Sequence, residues 1–437
     1  MNYMGYVKNV LIVLLVVLSI YQANKVWDVG GSSTLNFSSV NQPIVNSDIG
    51  KKVVLPTMIY KYNNYSDNFT GVFFDDYDKN YCAEYLYGVL KDYGKKNDTR
   101  YFTKNDLDNC VIAFEYEINI DYSTLFDVLY DDTTEENFAF DVVYVCKENE
   151  NYLINFVEKN TNMLNQFIVS GREVLPTAVN NEILSGVSYT TTMNTYGAHT
   201  NDFVLDIDKN TRSFSDIYAT NPYYIDKELL LSDLQNKTKS FFNDGDKTWS
   251  RIDKDSFIFS SDNVIIKYFS NDMLDVSYYK SGTSKTTSIK DAYAIAHSFI
   301  ENDIYVTNKF YLQYYEQEEN KCTFYFNYYI ENVPISVPEG SEQNSHIKIV
   351  VENNSITSYK KLVYNYESLS NYNTLISSTQ KKALDDFFNI DNLENMNIKL
   401  VYTFLNNNVT SNSFDDKALN LAWEVKSFQN LEYLPIN

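Results

Sequence analysis

Apolar residues fall along the chain in three different patterns. The first is one long run, Val7–Trp27, VKNVLIVLLVVLSIYQANKVW, the only long one in the chain. The second recurs about every 3.6 residues and predicts amphipathic helices. DDYDKNYCAEYLYGVLKDY reads as a helix capped near Asp76 or Asp78, with Tyr81, Ala83, Tyr85, Leu86 and Leu90 on its apolar face. STLFDVLY, TNMLNQFIVS, KELLLSDLQNKTKSFF and STQKKALDDFFNI (from Ser378, with Ala383, Leu384, Phe387 and Phe388 inward) read as further helices. SIKDAYAIAHSFIEN opens on a capping box, Ser288 and Asp291, and carries Ile289, Ala292, Tyr293, Ala296 and Phe299 as its stripe. The third pattern alternates and predicts strands. It appears in VVLPTMIYKY, CVIAFEYEI, the hairpins FAFDVVYVCKENENYLINFVE and FVLDIDKNTRSFSDIYA, the short strands of DSFIFSSDNVIIKYFSNDMLDVSYY, and the paired IKLVYTFL and ALNLAWEVKSF. FYLQYYEQEENKCTFYFNYYIENVPIS folds back at an acidic turn, and HIKIVVENNSITSYKKLVYNY at Asn353 and Asn354.

These patterns predict an α+β protein: an N-terminal transmembrane helix, then three extracytoplasmic domains, each of helix plus antiparallel meander sheet. The ranges are 1–27 for tail and anchor, 28–50 for a polar linker, 51–179 for an N-terminal domain, 180–282 for a central one and 283–437 for a C-terminal one. In the last, a helix followed by a meander is written twice, as in a degenerate repeat.

The long run reads as an anchor that stays. Between Lys8 and Lys25 lie 16 residues, about 24 Å of helix at ~1.5 Å per residue, short of a hydrocarbon core of roughly 30 Å. Snorkelling lysines and Met4, Gly5 and Tyr6 extend it. Val10 to Tyr21 holds ten aliphatic residues, which favour insertion by about 3 to 6 kcal/mol. Cleavage after Ala23 would place Tyr21 where a signal peptidase needs a small residue. A cleaved signal is the alternative. Lys8, Lys25 and Trp27 mark the interfaces, with the N-terminus placed in the cytoplasm and the body outside on a thin charge bias. The helix has no GxxxG. Its partner face, if it has one, is Leu11, Leu14, Leu15 and Leu18 with Val10, Ser19 and Tyr21, and lipid is an equal candidate to cover it.

Composition narrows the function. The formal net charge is −22, from 58 acidic and 36 basic residues, which speaks against nucleic acid and against adhesion to anionic polymer by charge. Four cysteines (Cys82, Cys110, Cys146, Cys322) fit no zinc spacing. Buried free thiols are expected, with one bridge, such as Cys82 to Cys110, as the alternative. His297 reads as a boundary residue of its helix, and His199 and His346 as exposed. DIDKN (Asp206, Asp208, Asn210) begins like a calcium loop but has Thr211 and Ile217 where Gly and Glu are needed. Asp75, Asp76 and Asp78 suit a helix N-terminus without a metal. No catalytic, cofactor or metal site is assigned, and the chain is expected not to be an enzyme.

The run ending in LSIYQANKVW, the hairpin NENYLINFVE and the C-terminal half resemble the YycH family of Gram-positive regulatory proteins. YYIENVPIS, IKIVVENNSITSYKKLVY and LNLAWEVKS resemble the sister family YycI as well; length favours YycH. The resemblance implies a membrane-anchored regulator that touches a sensor histidine kinase of the cell-wall-homeostasis two-component system and a YycI-like partner. It implies contact through transmembrane helices and outer domains, without catalysis. An anchored or secreted module that binds or hydrolyses wall polymer is the competing expectation, and an inhibitory propeptide-like module a third.

Overall fold

The computed structural model describes residues 47–63, 68–72, 76–176, 187–191, 203–205, 213–224, 230–242, 247–254, 256–279, 287–331, 333–338, 341, 343–375, 397–404, 417–426 and 431–435. The anchor run, most of the linker, the DIDKN loop, His199 and the helix expected from Ser378 lie outside these residues. No helix among the described residues is long and apolar enough to cross a membrane.

Antiparallel sheets dominate, with few helices. Among the described residues the α-helices are α1 (Ser47–Lys51), α2 (Asp76–Tyr93), α3 (Tyr122–Tyr130), α4 (Leu231–Lys237) and α5 (Ile289–Glu301). The first sheet holds β1 (Met58–Asn63), β2 (Asn68–Val72), β3 (Lys95–Tyr101), β4 (Cys110–Asp121), β5 (Ala139–Glu148), β6 (Asn151–Glu158), β7 (Met163–Ser170), β8 (Val187–Thr191) and β9 (Phe203–Leu205), in the order β3-β7-β6-β5-β4-β1-β2-β8-β9. β10 (Ser213–Thr220) starts a second sheet. The third runs β11 (Trp249–Asp253), β12 (Ser256–Ser260), β13 (Val264–Phe269), β14 (Met273–Tyr278), then β19 (Ser355–Leu362), β18 (Ile347–Glu352), β16 (Lys321–Ile330) and β15 (Lys309–Glu318), with β17 (Val333–Pro334) on β16. β20 (Asn365–Leu375), β21 (Asn397–Thr403), β22 (Lys417–Lys426) and β23 (Leu431–Pro435) complete the second sheet around β10. Sheet membership therefore cuts across the ranges 51–179, 180–282 and 283–437: β8 and β9 extend the first sheet, and β11–β14 belong with β15–β19.

Local signals explain most elements. The hairpin β5–β6 pairs as its alternation requires. β18 and β19 turn at Asn353 and Asn354, both with positive φ, a conformation Asn tolerates and a two-residue hairpin turn demands. In α5 the Ser288 side chain accepts from Asp291 N–H at 3.1 Å. The expected stripe of that helix is buried, together with Ala294, Ile295 and Ile300.

Other elements differ from expectation. TNMLNQFIVS is strand β7, not a helix: it sits between β6 and β3 with Leu164, Phe167 and Val169 buried, and two flanking ladders outweigh a weak helical period. FVLDIDKNTRSFSDIYA forms no hairpin: β9 pairs with β8, while β10 pairs with β20 and β22. The α2 stripe is Cys82, Ala83, Leu86, Tyr87 and Leu90, and Tyr81 and Tyr85 face outward.

The first sheet is covered on both faces. α2 and α3 pack Leu86, Tyr87, Leu125 and Phe126 onto Phe114, Val143, Ile154 and Phe156. The opposite face gathers Tyr60, Phe69, Ala113, Tyr144, Val157 and Phe203. α1 lies against α5. Gly50 makes that contact possible, since a Cβ there would sit 2.7 Å from the Lys290 carbonyl oxygen. Lys290 in turn reaches Asp131 at 3.2 Å, and Lys51 reaches Glu84 at 3.8 Å. The second sheet is tied to the first where Lys399 meets Glu117 at 3.0 Å, and to the segment just after β17 where Ser336 N–H donates to the Tyr402 carbonyl at 2.8 Å.

Candidate functional site

Burying Cys82, Ala83, Leu86, Tyr87 and Leu90 turns the opposite face of α2 to solvent. Tyr81, Glu84, Tyr85, Gly88, Val89, Asp92 and Tyr93 line that face, three or four residues apart as one helical stripe requires, and with Tyr130 they enclose a shallow groove of about 370 Å³. Tyr81 is 51% exposed and Tyr93 46%, high for large aromatic residues.

The floor is built by one glycine. A Cβ at Gly88 would stand 3.3 Å from the Tyr130 hydroxyl oxygen. That hydroxyl donates to the Glu84 carbonyl at 2.8 Å, fixing the Tyr130 ring beneath the groove. Below, the Tyr87 and Tyr116 hydroxyls are hydrogen-bonded and pin α2 to β4. Lys91 lies 5.1 Å from the Tyr130 ring centroid and 3.0 Å from Asp132, whose carboxyl it holds below the usual carboxylate range. Arg172 covers the Tyr93 ring at 4.9 Å. The Tyr81 and Tyr85 rings lie 6.4 Å apart and stay open to solvent.

Aromatic faces beside the carboxylates of Glu84 and Asp92 suit a ligand with flat apolar faces and hydroxyl or cationic groups. Eight residues of helix separate the two backbone positions by about 12 Å along the axis. Among the described residues no group of three His, Cys, Asp or Glu is placed to hold a metal ion.

No family model matches the chain, and no curated protein matches its sequence. Among solved structures it is similar to YycH from Bacillus subtilis. The two are 12% identical with a TM-score of 0.46, over 89% of this chain and 97% of that one. An uncharacterized protein from Eubacterium rectale ATCC 33656 is similar at 14% identity and a TM-score of 0.31, over 53% of this chain and 85% of that one. At these values the likenesses name no residue and no activity.

The residues expected to form the anchor and partner face, Lys8, Val10, Leu11, Leu14, Leu15, Leu18, Ser19, Tyr21, Lys25 and Trp27, lie outside the described residues. So do Asp206, Asp208 and Asn210. His297, expected at the boundary of its helix, is buried, 3.4 Å from Glu301 and packed on Phe310. His346 is not exposed. It is fully buried, with its ring between Asn327 Oδ1 at 3.0 Å and the Tyr366 hydroxyl at 2.9 Å, and burial lowers its pKa to about 3. All four cysteines are buried free thiols. Cys82 and Cys110 pack on opposite faces of the first sheet, so they are not a pair.

Two charged clusters escaped the sequence reading. Lys361 and Asp303 are 2.5 Å apart at 1% and 2% side-chain exposure. The Tyr359 hydroxyl and Tyr305 N–H complete the Asp303 carboxylate at 2.8 and 3.0 Å, and the Tyr223, Tyr305 and Tyr359 rings surround the ammonium. Burial lowers the Lys361 pKa against the pull of Asp303. Asp272 similarly accepts from the Tyr364 hydroxyl at 2.6 Å and Asn221 at 2.9 Å. A lysine in an alternating strand gives no sequence sign that it points inward. The groove had a sign, tyrosines four apart beside acidic residues, but it read equally well as a core stripe.

Proposed function

We propose that this chain is a membrane-anchored extracytoplasmic regulator that adjusts a sensor histidine kinase of a cell-wall-homeostasis two-component system, beside a YycI-like sister protein. It acts by contact and catalyses nothing itself. The observation that carries this reading is the apolar run Val7–Trp27 set before a large acidic body whose strands YYIENVPIS and IKIVVENNSITSYKKLVY resemble those families. A partner can bias a two-state kinase only by binding its two states with different affinity. Leu11, Leu14, Leu15 and Leu18 offer one face for that, and the α2 groove offers an outer one. The test is a photo-crosslinking pull-down from intact membranes with reactive residues at Leu14 and Leu18. Capture of a histidine kinase or sister regulator, lost when an unrelated helix replaces residues 7–27, supports the reading. No capture, with the chain cleaved and released, overturns it.

The exposed Tyr81–Tyr85 groove favours a second reading, binding of a wall polymer without hydrolysis. Co-sedimentation of the chain with insoluble cell wall, lost in Tyr81→Ala/Tyr85→Ala, would put this reading first. Equal sedimentation of both proteins would remove the groove from it.

A further inference from the structure

Cys110 opens β4, and Cys146 lies directly opposite it on β5. Lys147 N–H donates to the Asn109 carbonyl at 2.9 Å, one residue outside the pair. In an antiparallel ladder that bond flanks a non-hydrogen-bonded pair, the kind whose Cα atoms approach to about 4.5 Å with side chains on the same face. A disulfide needs Cα atoms roughly 4.4–6.8 Å apart. Both thiols belong to the core cluster on one face of the sheet. The other two cysteines are elsewhere: Cys82 is on α2 across the sheet, and Cys322 is on β16 of another sheet.

We propose that Cys110 and Cys146 are a disulfide-forming pair, closed by exchange with a small-molecule or protein disulfide. One thiolate attacks the donor, forming a mixed disulfide and releasing one donor thiol. The second cysteine thiolate attacks that mixed disulfide, forming the Cys110–Cys146 bond and releasing the second donor thiol. Two cysteine thiols and one donor disulfide become one protein disulfide and two donor thiols. Burial raises the Cys110 pKa well above the ordinary thiol range, so the folded Cys110 thiol is unreactive and the bond forms as β4 and β5 come together. Once closed, it holds the β4–β5 register at the irregularity between Cys110 and Ile112.

The purified full chain is unfolded in urea, refolded with oxidised glutathione, alkylated and mapped by mass spectrometry. The expected product links the Cys110 and Cys146 peptides, leaves Cys82 and Cys322 alkylated, and is lost in Cys110→Ser and in Cys146→Ser. Four alkylated or glutathione-capped thiols, or links to Cys82 or Cys322 in comparable yield, overturn the pairing. The wild-type map decides the matter even where a serine variant does not refold, and its outcome is independent of any kinase partner.

Discussion

His346 shows how a single residue sets a pH response. Its backbone N–H donates to Asn327 Oδ1 at 2.9 Å, which fixes that atom as an acceptor. Nδ1 therefore carries the proton, and Nε2 accepts from Tyr366. The ring is held neutral, with a folded pKa of about 3 against an ordinary 6.5. A depressed pKa gives stability that is complete above pH 6.5 and is lost as pH falls from 6.5 towards 3. The slope approaches about 1.4 kcal/mol per pH unit. Urea titrations between pH 4 and 7 are expected to show His346→Gln losing less stability on acidification than wild type. Equal slopes would assign the acid sensitivity elsewhere. The Lys361–Asp303 pair makes a second prediction. Lys361→Met leaves a buried carboxylate without its cation and is expected to cost about 3–5 kcal/mol. Lys361→Met/Asp303→Asn is expected to recover part of this, read by thermal denaturation of both variants.

At the scale of elements, what the sequence disclosed depended on whether the signal was local. The β18–β19 turn was legible because two adjacent Asn residues are among the few that accept positive φ at both central positions. Asn353→Val is expected to destabilise by roughly 1–2 kcal/mol, the penalty of a branched residue in the left-handed region, while Asn353→Gly is tolerated. Equal urea midpoints for the two variants would argue against this turn. β7 was not legible, because MLNQFIVS carries apolar residues at both periods and only its neighbours β3 and β6 decide. Tyr81 and Tyr85 misled for a related reason. Their spacing marks one face of α2 correctly, but Cys82, Ala83 and Tyr87 fill the space against the sheet, and the tyrosines line a groove instead. The β9–β10 pairing failed over distance: β10 finds β20 and β22 more than a hundred residues downstream, which no local pattern encodes.

At the scale of the molecule, the three sheets of the described residues are joined at defined places. Lys399 bridges β21 to Glu117 on β4, and α1 seats on α5. Gly50→Val is expected to push α1 off α5, costing about 1–3 kcal/mol as overpacking does, with faster amide exchange at Val53 and Val54 than at β4. Unchanged protection at Val53 and Val54 would mean the seat tolerates a side chain. The same seat has a mechanical meaning. Tension applied at Ser47 loads α1, which lies against α5. The next element, β1, lies between β2 and β4, and load along its axis must shear two ladders at once. The α1–α5 seat is thus a weak clasp in series with a strong one. A pull at Ser47 is expected to release α1 while the first sheet stays intact.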